Sequence, residues 1–269
     1  MSRRGQKARQ LWRAFLCDRR TSMTLQAFFQ AHPRAALAFS GGVDSAYLLW
    51  AGKQWGCDLT AYYVRTAFQP EFEYRDARRL AEEVGVPLRV VEADILSVPL
   101  AAANGPDRCY HCKLALFTRL WDAARADGHT LLLDGTNASD DAGDRPGMRA
   151  LRELEVRSPL RECGLTKAEV RRQSKEAGLF TWDKPAYACL ATRVPTGTSI
   201  KAEDLRRVEA GENALFALGF TDFRVRLLGG GARIQVPEDQ WDRAAGMRQA
   251  LLEALRPWFD AVTLDLEAR

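Results

Sequence analysis

The sequence contains no apolar run approaching the roughly 18 residues of a membrane span. Its short apolar stretch at 35–39 leads into a glycine loop, with no signal-peptide core or cleavage pattern. Without a secretory signal, six cysteines in 269 residues do not describe a disulfide framework; close cysteines in a reducing compartment carry metal or chemistry instead. Internal repeats and low-complexity segments are missing. Strong charge excess is missing too: a net +4 is mild for this length. These absences exclude membrane-spanning and disulfide-built secreted classes. They leave an expected cytoplasmic protein, with neither membrane nor nucleic acid as a partner.

What is present suits a soluble α/β protein. Hydrophobic residues make up 46% and charged residues 28% of the chain, and the length allows one large domain plus a smaller one. Charge bias is confined to 1–22, where Arg3, Arg4, Lys7, Arg9, Arg13, Arg19 and Arg20 face a single acid, Asp18. A short apolar stripe (Leu11, Trp12, Phe15, Leu16) predicts a helix over 9–16, so this segment reads as a solvated extension.

Over 23–195 short apolar runs alternate with helical patterns. Helices are predicted over 23–31, 44–55, 72–84 and 110–126, and strands over 35–39, 59–64, 88–91 and 130–134. That alternation predicts a parallel sheet with helices on both faces, and a ligand crevice beyond the carboxyl ends of its strands. Those ends carry 40–45, the segment after Val64, Ala93 with Asp94, and Asp134-Gly135-Thr136-Asn137. One more strand is predicted over 153–156. A helix over 166–177 follows, capped by Thr166 with Glu169. The stretch 182–195 is irregular. A small α+β domain is expected over 196–269, with helix 202–218, strands 222–228 and 232–236 around Gly229-Gly230-Gly231, one helix 238–256 and strand 261–266.

Ser40-Gly41-Gly42-Val43-Asp44-Ser45 lies between a predicted strand and helix. Paired glycines let the backbone approach an anion, and N–H groups at a helix start form a nest for phosphate. Ser40 and Ser45 add hydroxyl donors, and Asp44 suits the Mg²⁺ that accompanies ATP. Walker A spacing is absent. The loop resembles that of the PP-loop ATP pyrophosphatases, the superfamily of NAD, GMP and asparagine synthetases and tRNA thiolases. That resemblance implies cleavage of ATP between its α and β phosphates, leaving AMP on the substrate.

Arg108-Cys109-Tyr110-His111-Cys112-Lys113 opens a predicted helix, and Cys189 lies in the irregular stretch. By residue type, Cys109 and Cys112 suit a dithiol redox pair. With Cys189 and His111 or His129 they suit zinc, and the three thiols alone suit an iron–sulfur cluster. Haem attachment is excluded because Lys113, not His, follows Cys112. Cys17, Cys57 and Cys163 lack partners at metal spacing. Lys113, Arg145 and Arg193 are candidates to neutralise phosphate charge. Asp134, Thr136 and Asn137 are expected near the nucleotide, while Arg224 and Arg226, alternating on one strand, suit bidentate phosphate recognition.

Together the loop, the Cys-x-x-Cys segment, 134–140 with Arg145-Pro146-Gly147, and 184–193 resemble the LarE-type sulfur transferases over about 23–236. The resemblance implies adenylation of a carboxylate of pyridinium-3,5-biscarboxylic acid mononucleotide and replacement of AMP by sulfur. That step belongs to synthesis of the nickel-pincer cofactor of lactate racemase. It implies that Ser40–Ser45, Lys113, Asp134, Gly135, Thr136, Arg145 and Ser158 hold the nucleotide, and that Thr192, Arg193, Arg224 and Arg226 hold the substrate phosphate. Cys189 then supplies the sulfur, either sacrificed or joined by Cys109 and Cys112 in a [4Fe–4S] cluster. Gln235 stands where the family often has an acid beside a metal. A sulfide or other sulfur donor, other proteins of that pathway and a homo-oligomer are the implied partners. Three alternatives remain: tRNA thiolation, amidation with ammonia, and a nucleotide or iron–sulfur sensor without turnover. The first would call for a basic RNA-binding surface, and the second would leave three cysteines idle.

Overall fold

A computed structural model describes residues 23–140 and 146–269; the predicted helix over 9–16, its basic arm and Arg145 lie outside these. Four strands form one parallel sheet: β1 (Arg34–Ala38), β2 (Asp58–Arg65), β3 (Leu88–Glu92) and β4 (Leu132–Leu133), in the order β3-β2-β1-β4. Side-chain alternation along the strands sends neighbours to opposite faces. Ala35, Leu37 and Tyr63 join a core with α1 (Leu25–Ala31), α2 (Val43–Gln54) and α3 (Glu71–Val84). Ala36 and Tyr62 join Leu120, Trp121 and Ala124 of α5 on the other face. Helix α5 (Arg108–Ala126) follows a short α4 (Pro99–Ala102). The expected α/β architecture is present.

Helix α2 is buried along most of its length, which is why its pattern is apolar almost all round. Gly52 lets it lie this close: a Cβ there would sit 2.3 Å from Leu59 Cδ1 and 2.9 Å from Phe29 Cε1. After β4 come α6 (Pro146–Glu153), α7 (Pro159–Glu162) and α8 (Lys167–Glu176), the last with the complete capping box of Thr166 and Glu169.

A second sheet follows. Helix α9 (Ala202–Ala217) precedes β5 (Arg224–Leu228) and β6 (Gly231–Gln235), then α10 (Glu238–Gly246), α11 (Arg248–Leu255) and β7 (Val262–Leu264). Strands β5 and β6 are antiparallel, and β7 adds parallel to β6. Because Leu228 pairs with Gly231, the turn is only Gly229-Gly230, with Gly229 at φ 59°. One apolar core runs from Phe68, Ile95, Ala101 and Leu116 into Phe223, Val225, Ile234 and Phe259 of this second unit.

Two expectations fail locally. Residues 153–156 are not a strand: α6 ends at Glu153, Glu155 turns the chain at φ 54°, and only Arg157 bridges Leu133. The helix over 238–256 is two helices, broken where Met247 (φ −90°, ψ 20°) follows Gly246, whose helical preference is weak.

Gly52→Ala is expected to lower stability by about 1–3 kcal/mol, since overpacking outweighs the roughly 1 kcal/mol helix preference of alanine. Urea unfolding measures it; an unchanged or raised midpoint contradicts the close approach.

Candidate active site

The loop between β1 and α2 is built to leave donors free. Helices α1 and α8 begin with threonine side chains accepting from the first turn, whereas Gly42 caps α2 with no side chain at all. Its first-turn N–H groups therefore stand open to an anion. Gly41 adopts φ 72°, and a Cβ on it would lie 3.0 Å from Cα of Ala77 on α3. On the other side a Cβ on Gly135, just past β4, would lie 2.9 Å from the Ser45 nitrogen. Ser40 Oγ and Ser45 Oγ are 3.1 Å apart, and Ser45 Oγ donates to the Gly42 carbonyl at 3.2 Å. The Val43 side chain is buried in the core, so its part in binding is confined to its backbone.

Asp44 sits one residue into α2. One carboxylate oxygen accepts from Asn137 Nδ2 at 3.2 Å, and the other pairs with Lys167 Nζ at 2.5 Å. Sequence reading missed Lys167. Its signal was the capping box at Thr166, which sets the next residue on the first turn of α8, where the Lys167 N–H donates to Ser139 Oγ at 3.0 Å. Asp134 is buried and accepts from Ser158 Oγ at 2.6 Å and from Thr136 Oγ1. Burial pushes its carboxyl above the usual range, against the pull of both hydroxyls and of the Lys113 charge. Lys113 runs past Gly147 of α6, where a Cβ would stand 3.1 Å from Lys113 Cδ. Asp134, Thr136, Ser158 and Lys113 thus meet beside the loop.

The three motif cysteines lie near enough for their charges to act on one another. Cys109 is exposed on the first turn of α5, while Cys112 and Cys189 are half-buried against one apolar cluster. Burial, with help from the Cys189 and Cys109 charges, pushes the Cys112 thiol up to about 12. Burial raises Cys189 too, opposed by the Arg108 charge. Arg108 ties the start of α5 to this recess by donating to the Ala191 carbonyl at 2.9 Å. Among the described residues no group of three or more His, Cys, Asp or Glu is arranged to hold a metal ion. His129 is not a partner for these thiols: it bonds Thr60 at 3.1 Å, near the amino end of β2.

Thr192, Arg193, Arg224 and Arg226 gather around the segment that carries Cys189. Arg193 is 1% exposed and pairs with equally buried Glu212 at 2.7 Å; it also donates to Thr192 Oγ1 at 2.7 Å and the Ala188 carbonyl at 3.1 Å. Glu212 further accepts from the Val225 N–H at 3.0 Å and from the Tyr187 hydroxyl. Arg224 is buried and donates to the carbonyls of Phe223 and Ala186, burial pushing its pKa down to about 10. Arg226 donates to the Thr192 carbonyl at 2.8 Å and to Gln235, which links it to Asp265. Arg193 and Arg224 thus already spend donors on the protein itself. Glu73 on α3, unforeseen from sequence, is pushed up to about 7 by burial, with Lys184 and Arg193 opposing and Asp76 assisting.

Glu212→Ala is expected to cost about 3–5 kcal/mol, because it strands the Arg193 charge in the core; thermal unfolding near the wild-type midpoint would contradict that. Glu73 has its folded pKa above the unfolded value. Its protonated form favours the fold below about pH 4.5, and that stabilisation is lost as pH rises through about 7. Glu73→Gln should therefore raise the melting temperature relative to wild type at about pH 8 more than at about pH 4.

No family model matches the chain. An uncharacterized protein of Synechocystis sp. is 39% identical over 220 residues, 80% of this chain and 81% of that protein. The pyridinium-3,5-bisthiocarboxylic acid mononucleotide synthase of Lactiplantibacillus plantarum is 36% identical over 217 residues, 80% of this chain and 79% of that enzyme. A tRNA-specific 2-thiouridylase of Frankia alni is 29% identical over 189 residues, covering 56% of this chain and 53% of its own length. With the phosphate loop, its acid and the cysteine recess on one framework, the chain belongs to the family of the pyridinium-3,5-bisthiocarboxylic acid mononucleotide synthase, the LarE-type sulfur transferases.

Proposed function

We propose that the protein adenylates a carboxylate of pyridinium-3,5-biscarboxylic acid mononucleotide and replaces AMP with sulfur, in synthesis of the nickel-pincer cofactor. The observation that carries this reading is the loop between β1 and α2, whose uncapped helix start stands beside Asp44, an acid held by Lys167 and Asn137.

In this mechanism the pyrophosphate of ATP lies on the open N–H groups at the start of α2, with Ser40 and Ser45. Asp44 would hold Mg²⁺, and Lys167, now neutralising Asp44, would turn to the phosphates. The substrate carboxylate attacks the α-phosphorus and pyrophosphate leaves, stabilised by cations at the point where charge develops. A sulfur nucleophile in the recess then attacks the acyl carbon, and AMP departs from a thiocarboxylate. Thr192, Arg193, Arg224 and Arg226 are proposed for the substrate phosphate, with Arg226 the most accessible of the three arginines.

Cys109, Cys112 and Cys189 would be the ligands of a [4Fe–4S] cluster, and their soft thiol donors suit it. When bound, such a cluster would supply a sulfur that can be renewed between turnovers. The proposal extends to domains at 23–195 and 196–269 after a basic extension at 1–22. It also extends to a homo-oligomer in the cytoplasm, supplied with sulfide or another sulfur donor and working with other proteins of the cofactor pathway.

Anaerobically purified protein with ATP, Mg²⁺, sulfide and the biscarboxylated nucleotide should release pyrophosphate and form thiolated nucleotide, both followed by mass spectrometry. Asp44→Asn and Lys167→Ala should each slow pyrophosphate release about 100-fold or more. Cys189→Ser should abolish thiolation. Wild-type rates in Asp44→Asn would sink the nucleotide assignment. Conversion of Cys189 to dehydroalanine after one turnover would replace the cluster with a sacrificed cysteine.

A further inference from the structure

The segment carrying Cys189 is a strap that runs antiparallel to α3, and its contacts have a regular spacing. Leu190 N–H donates to the Phe68 carbonyl at 2.9 Å, the Tyr187 ring meets the Phe72 ring at 4.9 Å, and Lys184 Nζ pairs with Asp76 at 2.6 Å. The helix-side partners step by four residues, so the two that lie within α3, Phe72 and Asp76, share one face. The strap partners step by three in the opposite direction, so the strap runs antiparallel to α3. Most of the strap backbone between 183 and 189 has no regular secondary structure to hold it.

A second helix grips the same point. Arg171 of α8 donates to the carbonyls of Trp182 at 2.7 Å and Lys184 at 2.8 Å. Lys184 is thereby held by its backbone from α8 and by its side chain from α3. Both helices also touch the nucleotide loop, α3 through Ala77 against Gly41 and α8 through Lys167 on Asp44. The ion pair is partly buried, with side chains 19% and 31% exposed, so water screens it less than a surface pair. Removing the lysine charge leaves Arg171 on the backbone but cuts the tie to α3, so the Leu190–Phe68 hydrogen bond loses its support from that end of the strap.

We propose that Asp76 and Lys184 are positioning residues for sulfur transfer: their ion pair fixes the strap on α3, and so sets Cys189 against the adenylate formed on the loop. Neither side chain touches reacting atoms in this role. The proposal rests on the sulfurtransferase reading above for its chemistry, whereas the latch itself is a property of the chain.

Amide hydrogen exchange on the full chain tests the latch without reference to turnover. In Lys184→Met and in Asp76→Asn, the peptide containing Leu190 should exchange about tenfold faster or more, while peptides of β1 and β2 keep wild-type rates. Turnover then separates positioning from general damage. Both variants should retain substrate-dependent pyrophosphate release within about twofold and lose about tenfold or more in thiolated product. Wild-type exchange at Leu190 in either variant overturns the latch, as does an equal loss of both half-reactions. If one variant fails to fold, the other decides by the same two readings. If wild-type protein makes no adenylate with the pyridinium nucleotide, the sulfurtransferase reading fails and the exchange measurement still decides the latch.

Discussion

Two neighbours meet the phosphate loop at distances that a side chain would forbid. Ala77 closes on Gly41 from α3, and the Ser45 nitrogen closes on Gly135 from the end of β4. The loop is therefore wedged between two pieces of framework, and its shape is imposed before any ligand arrives. Such preorganisation matters because donors aimed at developing charge act only if they need not reorganise during reaction. It also explains why the helix start can be left without a side-chain cap. The fold holds the turn from outside, and the unpaired N–H groups remain available.

Charge is handled in two ways around that wedge. Near the loop, Asp44 and Lys167 are each partly exposed, so their pairing can exchange for phosphate and metal at modest cost. Deeper, Arg193 and Glu212 are almost wholly enclosed, bonded to one another, to Thr192 and the Ala188 carbonyl, and to the Val225 N–H. A buried pair of that kind contributes little net stability, yet removing one partner is costly. Its use here is geometric. It joins the residue after Thr192 to α9 and, through the Val225 N–H, to β5, so the arginine-bearing strand and the cysteine segment share one anchor.

The parallel sheet and the loop were legible because their signals are local. A short apolar run ending in Ser-Gly-Gly needs no distant partner to read as a strand entering an anion-binding turn. Cys109 and Cys112 were legible as a pair because they lie one turn apart on α5, whereas Cys189 came only from the family resemblance. Lys167, Glu73, Asp76 and Glu212 were not singled out. Each looks like an ordinary helix-surface charge, and its role exists only where two distant segments pack. The strand expected at 153–156 shows the reverse error. Its residues have the right alternation, but a positive φ at Glu155 turns the chain so that a single residue pairs. Arginine side chains on β5 read correctly as a pair on one face, but not their capture by backbone carbonyls.

The apolar core shared between the parallel sheet and the small one has a consequence for synthesis on the ribosome. When residues up to about 195 have emerged, Phe68, Ile95, Ala101 and Leu116 have no second unit to cover them. The lid for that surface is encoded by the remaining stretch, including Phe223, Val225, Ile234 and Phe259. At about 5–20 residues per second, the nascent chain carries this apolar patch, along with all six cysteines, for several seconds.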